Sequence, residues 1–175
     1  MLCTNNKDLY DKAYKIWDQG RVPGTFWIEE LSSKYKMANI QAAIGIGQLQ
    51  RNDLMVNKKR IINDWYFKRL KNIKGIKFFR ETKNVKSICW MSCIIIDEKY
   101  SITREELCKK LKEKNVDTRP VFPTISQYPY WIKKQKEQPI SKFISDRAIN
   151  LPSGVCLSQN EINYVCDQII KILGE

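Results

Sequence analysis

The sequence predicts an α+β fold in which helices cover a small, mostly antiparallel sheet. Capping boxes of the form T-x-x-E and S-x-x-E, at 103–106 and 158–161, mark the starts of two helices. Apolar segments with the character of strands lie at 76–79, 88–96 and 116–122. The predicted order is helix, long helix, strand, strand, helix, strand, helix, helix, which favours a small sheet with helices packed on it.

The first part of the chain is predicted to be mainly helical. A helix over 7–19 begins after Asn6 and ends at Gly20, because Asn caps helix N-termini and Gly tolerates the backbone conformation that follows a helix. A long helical stretch then runs over 38–71, with a break around 51–53.

The strands are predicted from composition and from the position of proline. The segment 88–96 is nearly all apolar, which indicates a central strand buried on both faces. Pro120 places the later part of the strand 116–122 at a sheet edge, because proline cannot donate to a ladder. Residues 1–5 are predicted to form a further short strand.

Three helices are predicted in the later part of the chain. The helix that begins after Thr103 turns Leu107, Cys108 and Leu111 inward, and a second helix covers 139–148. The apolar residues of the last helix recur every three or four positions and therefore share one face. They are Ile162, Val165, Cys166, Ile169, Ile170 and Leu173.

Composition indicates a globular protein that attracts anions. Hydrophobic residues make up 43% and charged residues 29% of the chain, and the net charge is +12. Such a surplus of positive charge favours the binding of polyanions. Nucleic acid, an anionic membrane and nucleotide-sugar substrates are therefore all possible partners. No apolar run approaches the ~20 residues that span a bilayer, and the N-terminus lacks the pattern of a secretory signal. We therefore expect a cytoplasmic protein without a membrane partner.

Cysteine and histidine usage excludes several kinds of site. The six cysteines form no C-x-x-C pair and the chain has no histidine, so the ligand spacing of a structural zinc site is missing and no metal site is predicted. We expect free, mostly buried thiols. Without an imidazole base, the Ser-His-Asp and Cys-His mechanisms are excluded.

Five segments together resemble the DegT/StrS-like family of sugar-nucleotide aminotransferases, which depend on pyridoxal phosphate. The most specific is YKMANIQAAIGIGQL at 35–49, which is similar to the family's Y-R-M-T loop and the I-Q-A-A-I-G-x-x-Q-L helix after it. The others are WMSCIII at 90–96, DTRPVFP at 117–123, QPISKFISDRAINLPSG at 138–154 and LSQNEINYVCDQI at 157–169. The resemblance covers nearly the whole chain.

The resemblance implies the C-terminal small domain of a fold-type I aminotransferase. Residues 1–50 would be the end of the large domain with a connecting loop and an interdomain helix, and 51–175 the small domain. In the family the large domain carries the cofactor pocket and the lysine that binds pyridoxal phosphate. No lysine here has that sequence context, so we expect no catalytic residue in this chain and no cofactor held by it alone.

The resemblance also implies roles for individual residues, each with a plainer alternative. Lys34 and Lys36 fall where the family's loop reaches the cofactor phosphate, although they can equally be solvated loop lysines. Arg119 matches a family arginine able to clamp a carboxylate or phosphate, or to form a structural salt bridge. Ser126 stands where the family often has histidine, and Tyr128 lies in the same substrate-binding loop.

Four aromatic side chains are candidates for lining a sugar or base pocket: Trp90, Tyr128, Tyr130 and Trp131. Trp90 is expected in the core instead, because its strand is apolar throughout.

The family's partners would be a second copy or a chain that supplies the large domain, with a nucleotide sugar and glutamate as substrates. Without that domain, apolar side chains in the first 50 residues should be partly exposed: Phe26, Trp27, Ile28, Ile40 and Ile44. Two alternatives differ in class. One is a non-enzymatic partner or regulatory module of a complete aminotransferase, and the other is a basic nucleic-acid-binding protein, for which no recognised motif is present.

Overall fold

The computed structural model of the chain describes residues 2–79, 81–129 and 138–174. Its internal contacts divide the chain into two units, Met1–Arg51 and Asn52–Glu175.

The first unit contains two helices joined by a loop. Helix α1 spans Lys7–Trp17, and the Asn6 side chain accepts a hydrogen bond from the backbone N–H of Leu9 at 3.1 Å, as the sequence predicts. Helix α2 spans Asn39–Leu49. The prediction of a strand at the chain start is wrong for residues 2–5, which form no strand.

Gly20 closes the turn after α1. Its φ is +70°, and a Cβ added there would lie 2.1 Å from the carbonyl oxygen of Glu30. Only glycine fits a position that combines a left-handed backbone with so close an approach. The loop then runs back alongside the end of α1. Two isolated antiparallel β-bridges pair Asp18 with Lys34 and Arg21 with Ile28.

The described residues of the second unit form an antiparallel sheet with four α-helices. Its helices are α3 at Asn52–Leu70, α4 at Arg104–Glu113, α5 at Pro139–Arg147 and α6 at Gln159–Leu173. Its strands are β1 at Ile76–Phe78, β2 at Ser92–Ile96, β3 at Arg119–Pro120 and β4 at Ala148–Leu151. The strand order is β1-β2-β4-β3, and each neighbouring pair is antiparallel. The predicted α+β class is therefore confirmed.

The predicted helix starts and the predicted break are confirmed. Thr103 and Ser158 each accept a hydrogen bond from the N–H three residues later, and the paired glutamates bond back to them. The long helical stretch ends at Leu49 and resumes at Asn52. Helix α5 ends at Arg147, close to its predicted end.

The sheet differs from the prediction in three places. Strand β4 was not predicted at all, yet it lies between β2 and β3 and all four of its residues are buried. Strand β2 begins only at Ser92, so the prediction for 88–91 is wrong, and Trp90 is 61% exposed instead of in the core. Strand β3 has only two residues, Arg119 and Pro120, although the N–H of Val121 still donates to the Ala148 carbonyl at 3.0 Å.

The core lies between α3, α6, α4 and the sheet. Helices α3 and α6 pack together, and α4 contacts α6, β3 and β4. The largest fully buried apolar side chains are Ile62, Tyr66, Leu70, Ile94, Ile96, Leu107, Leu111, Ile149, Ile162 and Ile169. Burying one such side chain contributes about 1.5–3 kcal/mol, so this cluster is the main source of stability in the unit.

Helix α3 fixes the loop that follows β4. The Lys59 ammonium donates to the carbonyls of Trp90 at 2.8 Å and Ser153 at 2.6 Å, and the Tyr66 hydroxyl donates to the Pro152 carbonyl at 2.9 Å. The Ser153 hydroxyl accepts from the Ser92 N–H at 2.9 Å. These bonds hold the end of β4 and the start of β2 on one helix.

The described cysteines are free, as predicted, but only Cys166 is fully buried; Cys3 and Cys156 are exposed. Within the described ranges, no cluster of cysteine and acidic side chains could hold a metal ion. No described helix is both long enough and apolar enough to cross a membrane.

Candidate functional site

Lys34 and Lys36 lie in the loop of the first unit, and α1 orients the second of them. The Lys36 ammonium lies 3.6 Å from the Asp18 carboxylate and 4.8 Å from the centre of the Trp17 ring. Its side chain remains 46% exposed, and Lys34 is exposed as well. Lys36 is thus held at the surface by one carboxylate and one aromatic face and is not merely solvated.

Arg119 lies in the edge strand β3 and points into solvent, with its side chain 77% exposed. Its guanidinium is 3.3 Å from the carboxylate of Asp117, which is 73% exposed. An ion pair between two exposed side chains contributes at most about 1 kcal/mol. An anionic ligand can therefore compete for this guanidinium, so the pair does not exclude a binding role.

Ser126 and Tyr128 follow Arg119 along the loop that leaves the sheet edge. Ser126 lies in a 3₁₀ turn over Ile125–Gln127, and its hydroxyl is 3.3 Å from the hydroxyl of Thr124. Tyr128 is 42% exposed. Phe122 and Ile125 in the same loop are exposed too. Tyr130 and Trp131, the other aromatic candidates, lie outside the described residues.

Arg119, Ser126 and Tyr128 lie along one segment of the second unit, in which Arg119 and Tyr128 are exposed and Ser126 is partly buried, whereas Lys34 and Lys36 belong to the first unit. The three residues are thus close in sequence, and their role in substrate binding stays a prediction.

The lysines of the described residues do not fit a complete pyridoxal phosphate site. That cofactor needs a sheltered amine that is free to react. The described lysines that are partly buried are Lys15, Lys58 and Lys59, and the rest are exposed. Lys59 donates to two carbonyls, and Lys58 lies 4.6 Å from the Trp65 ring centre. The hydrogen bond to Glu29, at 2.6 Å, raises the pKa of Lys15.

Two structural arginines were not found from the sequence. Arg60 on α3 binds the Glu81 carboxylate with both its terminal nitrogens, at 2.6 and 3.0 Å, and lowers the pKa of Glu81 to about 2. Arg147 at the end of α5 donates to the carbonyls of residues 96, 97, 100 and 102. Their partners are distant in sequence, so no local pattern marks either of them.

Comparison with known proteins identifies the family. Residues 1–170 match the model of the DegT/DnrJ/EryC1/StrS aminotransferase family. The chain belongs to this family. The resemblance in the sequence motifs is therefore confirmed.

Similar curated proteins include two GDP-perosamine synthases. The chain is 35% identical over 176 residues to the one from Escherichia coli O157:H7, a match that covers 100% of this chain and 47% of that protein. It is 28% identical over 172 residues to the one from Vibrio cholerae, covering 97% of this chain and again 47% of that protein. The chain thus spans about half the length of the curated relatives it matches.

Solved aminotransferase structures share the fold. The aminotransferase TlmJ from Streptoalloteichus hindustanus superposes with a TM-score of 0.82 at 18% identity, over 98% of this chain and 47% of that one. Helicobacter pylori PseC gives the same TM-score at 16% identity. Identities this low support the fold only, and here too the chain corresponds to about half of each protein.

Proposed function

We propose that this chain is the C-terminal half of a pyridoxal-phosphate-dependent sugar-nucleotide aminotransferase of the GDP-perosamine synthase kind. The complete enzyme would transfer an amino group from glutamate to a GDP-linked 4-keto-6-deoxy sugar. The chain alone would be inactive. The observation that carries this proposal is the 35% identity to a GDP-perosamine synthase along the whole chain, combined with coverage of only 47% of that enzyme.

The residues present indicate which parts of the complete enzyme this chain would supply. Residues 1–50 would contribute the end of the large domain and the interdomain helix, and 51–175 the small domain. The boundary between the two compact units, after Arg51, supports this division. The cofactor supplies the electron sink for amino transfer when it is bound. This half would supply positive charge and a sugar-binding loop, and the other half the reactive lysine.

We assign the phosphate-facing role to Lys36 and Lys34. Lys36 is oriented by Trp17 and Asp18, so less side-chain freedom is lost when it meets a phosphate. A lysine acts as a point charge and lacks the planar fork of the family's arginine at this position.

We assign substrate contacts to Arg119, Ser126 and Tyr128. The Arg119 guanidinium is exposed and only weakly paired, which suits a carboxylate or phosphate of the substrate. Tyr128 offers an apolar ring with a polar tip to a sugar. Ser126 offers a hydroxyl where the family often has histidine, so it cannot serve as a base at neutral pH.

The chain alone is expected to form no specific covalent adduct with pyridoxal phosphate, because each partly buried lysine among the described residues already has a partner. The purified chain is mixed with the cofactor, reduced with borohydride, and digested for mass spectrometry. Scattered, incomplete labelling of exposed lysines is the expected result. Escherichia coli GDP-perosamine synthase, treated in the same way, serves as the positive control. Complete labelling of a single lysine of this chain would contradict the proposal.

One observation favours a second candidate, a non-enzymatic partner of a complete aminotransferase. Large apolar side chains are exposed in the first unit, including Phe26 at 89%, Trp27 at 71% and Ile40 at 71%. Ile28 and Ile44 are exposed too, so the predicted exposure of all five is confirmed. An apolar surface of this kind marks an interface. A regulatory partner would bind an intact aminotransferase and change its rate, whereas a half-enzyme would bind only its complement.

A further inference from the structure

Strand β1 forms an open edge of the sheet. The strand order places it at one end, where β2 is its one partner among the described strands. Hydrogen bonds between antiparallel strands recur at every second residue. The Gly75 carbonyl accepts from the Asp97 N–H at 2.8 Å, so Gly75 and the next alternate residue, Lys77, face β2. Ile76 and Phe78 therefore turn their backbone groups toward the free edge.

The outward backbone groups of β1 can accept another strand. The Ile76 N–H already donates to the Ile73 carbonyl at 3.1 Å. The remaining outward groups are the Ile76 carbonyl and the N–H and carbonyl of Phe78, for which the described part of the chain provides no strand. An unpaired edge of this kind is a template for an extended polypeptide segment.

The free edge lies beside a groove between β1 and helix α3. Two clefts, of about 280 Å³ and about 330 Å³, are both lined by Phe67 of α3 and Phe78 of β1. The two rings pack edge to face, with their centres 5.5 Å apart. Phe79 lines the first cleft and is 66% exposed, and Lys71 and Lys77 line the second. We call the free edge with these two clefts the β1 groove.

Positive charge in the β1 groove is concentrated in the second cleft. The charged residues that line this cleft, among those described, are Lys71 and Lys77. The Lys77 ammonium lies 3.5 Å from the Asp97 carboxylate, but its side chain is 60% exposed. Such an exposed pair is weak, so an acidic ligand can compete for the lysine. In the first cleft, by contrast, Arg60 is matched by Glu81, which it binds through both terminal nitrogens.

We propose that the β1 groove binds an extended, acidic peptide segment of another protein by strand addition. The backbone of the segment pairs with the outward groups of Ile76 and Phe78. An apolar side chain of the segment lies against Phe79, and its carboxylates lie beside Lys71 and Lys77. In this mode of recognition, main-chain hydrogen bonds supply affinity and pockets for alternate side chains supply specificity. The inference concerns the second unit alone and does not depend on the proposed aminotransferase activity.

An acidic peptide fits the β1 groove better than a second copy of the chain or a small anion. A second copy would bring another net charge of +12, which opposes association. A lysine within an edge strand discourages pairing with a strand of like charge, and Lys77 would therefore repel its own counterpart. A small anion could meet Lys71 and Lys77 but would leave the strand edge unpaired.

Fluorescence anisotropy with the full chain and labelled peptides tests the proposal. The peptide TVFVTEDE should bind at least about 10-fold more tightly than TVFVTKRK, which has the same apolar part and the opposite charge. Two further versions of the acidic peptide carry methyl groups on alternate backbone nitrogens, one version for each register. Because an added strand bonds to its neighbour through alternate residues, one version should lose at least about 10-fold in affinity and the other should bind like the parent peptide.

A pair of variants locates the contact. Lys71→Glu should weaken binding of the acidic peptide at least about 10-fold and strengthen binding of the basic one, because it reverses a charge in the second cleft. Lys71→Gln, which removes the charge without reversing it, should give a smaller loss. Lys112→Glu makes the same charge change on α4, at an exposed lysine that lines neither cleft, and should alter both affinities by less than about 2-fold.

Four outcomes contradict the proposal. The first is an acidic peptide that binds no more tightly than the basic one. The second is an equal loss for the two methylated peptides, which would exclude strand addition. The third is an equal effect of Lys71→Glu and Lys112→Glu, which would indicate attraction by net charge alone. The fourth is self-association of the chain that displaces the peptide, which would assign the edge to a second copy.

Discussion

Ile62→Ala is expected to lower the free energy of unfolding of the second unit by about 2–5 kcal/mol. Ile62 is fully buried on α3, in the cluster that joins α3, α6 and the sheet. Removing its outer atoms loses their transfer free energy and leaves a cavity that the fixed helices cannot close. Urea unfolding followed by far-ultraviolet circular dichroism measures the change, and an unchanged slope would show that the unfolded state is unaffected.

The adjacent residue provides the matched control. Ile61 has the same side chain on the same helix but is 46% exposed. Ile61→Ala should change stability by less than about 1 kcal/mol, because little burial is lost and alanine favours the helix. Equal losses for the two variants would mean that α3 does not pack on the sheet through the face assigned here.

Arg147→Met is expected to destabilise the second unit by about 3 kcal/mol, because a charged donor is lost from a partly buried site. The Arg147 guanidinium donates to Ile96 at 3.0 Å, to Asp97 at 2.5 Å and to Tyr100 at 3.2 Å, and also approaches Ile102 at 3.5 Å. These carbonyls belong to the last residue of β2 and to the segment 97–102 that follows it. Methionine keeps much of the aliphatic packing and removes every donor.

The control for this variant is an arginine that pairs with a surface carboxylate. Arg69 pairs with Asp167, and both side chains are about half exposed, at 45% and 46%. Arg69→Met should cost less than about 1 kcal/mol. Arg147→Lys should fall between the two, because one ammonium cannot reach all four carbonyls. A loss for Arg147→Met no larger than that for Arg69→Met would show that water replaces the guanidinium freely.

The sequence predicted those elements whose cause is local. The helix that begins after Ser158 follows from a hydroxyl and a carboxylate three residues apart, and the interruption between α2 and α3 was also placed correctly. Strand β4 could not be found in this way. Its four residues directly follow α5, with no glycine or proline between them to end the helix. They are extended because β2 and β3 pair with them on both sides. That cause is tertiary.

The candidate site was predictable only in part. Arg119, Ser126 and Tyr128 follow from the family resemblance, whereas the exposure of Arg119 and Tyr128 and the partial burial of Ser126 are properties of the folded loop. Lys36 contacts Trp17 and Asp18 because the turn at Gly20 brings α1 and the loop after it together. No residue spacing in the sequence predicts these contacts. Trp90 was expected in the core because its neighbours are apolar, yet the chain enters β2 only two residues later and leaves the ring in solvent.

The activity of a chimeric enzyme tests most directly whether this chain is half of an aminotransferase. The chimera joins this chain to the half of Escherichia coli GDP-perosamine synthase that the chain does not match. It is assayed with pyridoxal phosphate, glutamate and a GDP-linked 4-keto-6-deoxy sugar. The proposal predicts an amino sugar nucleotide and 2-oxoglutarate in equal amounts, while the isolated chain gives neither. A soluble chimera that holds the cofactor and forms no amino sugar nucleotide would contradict it.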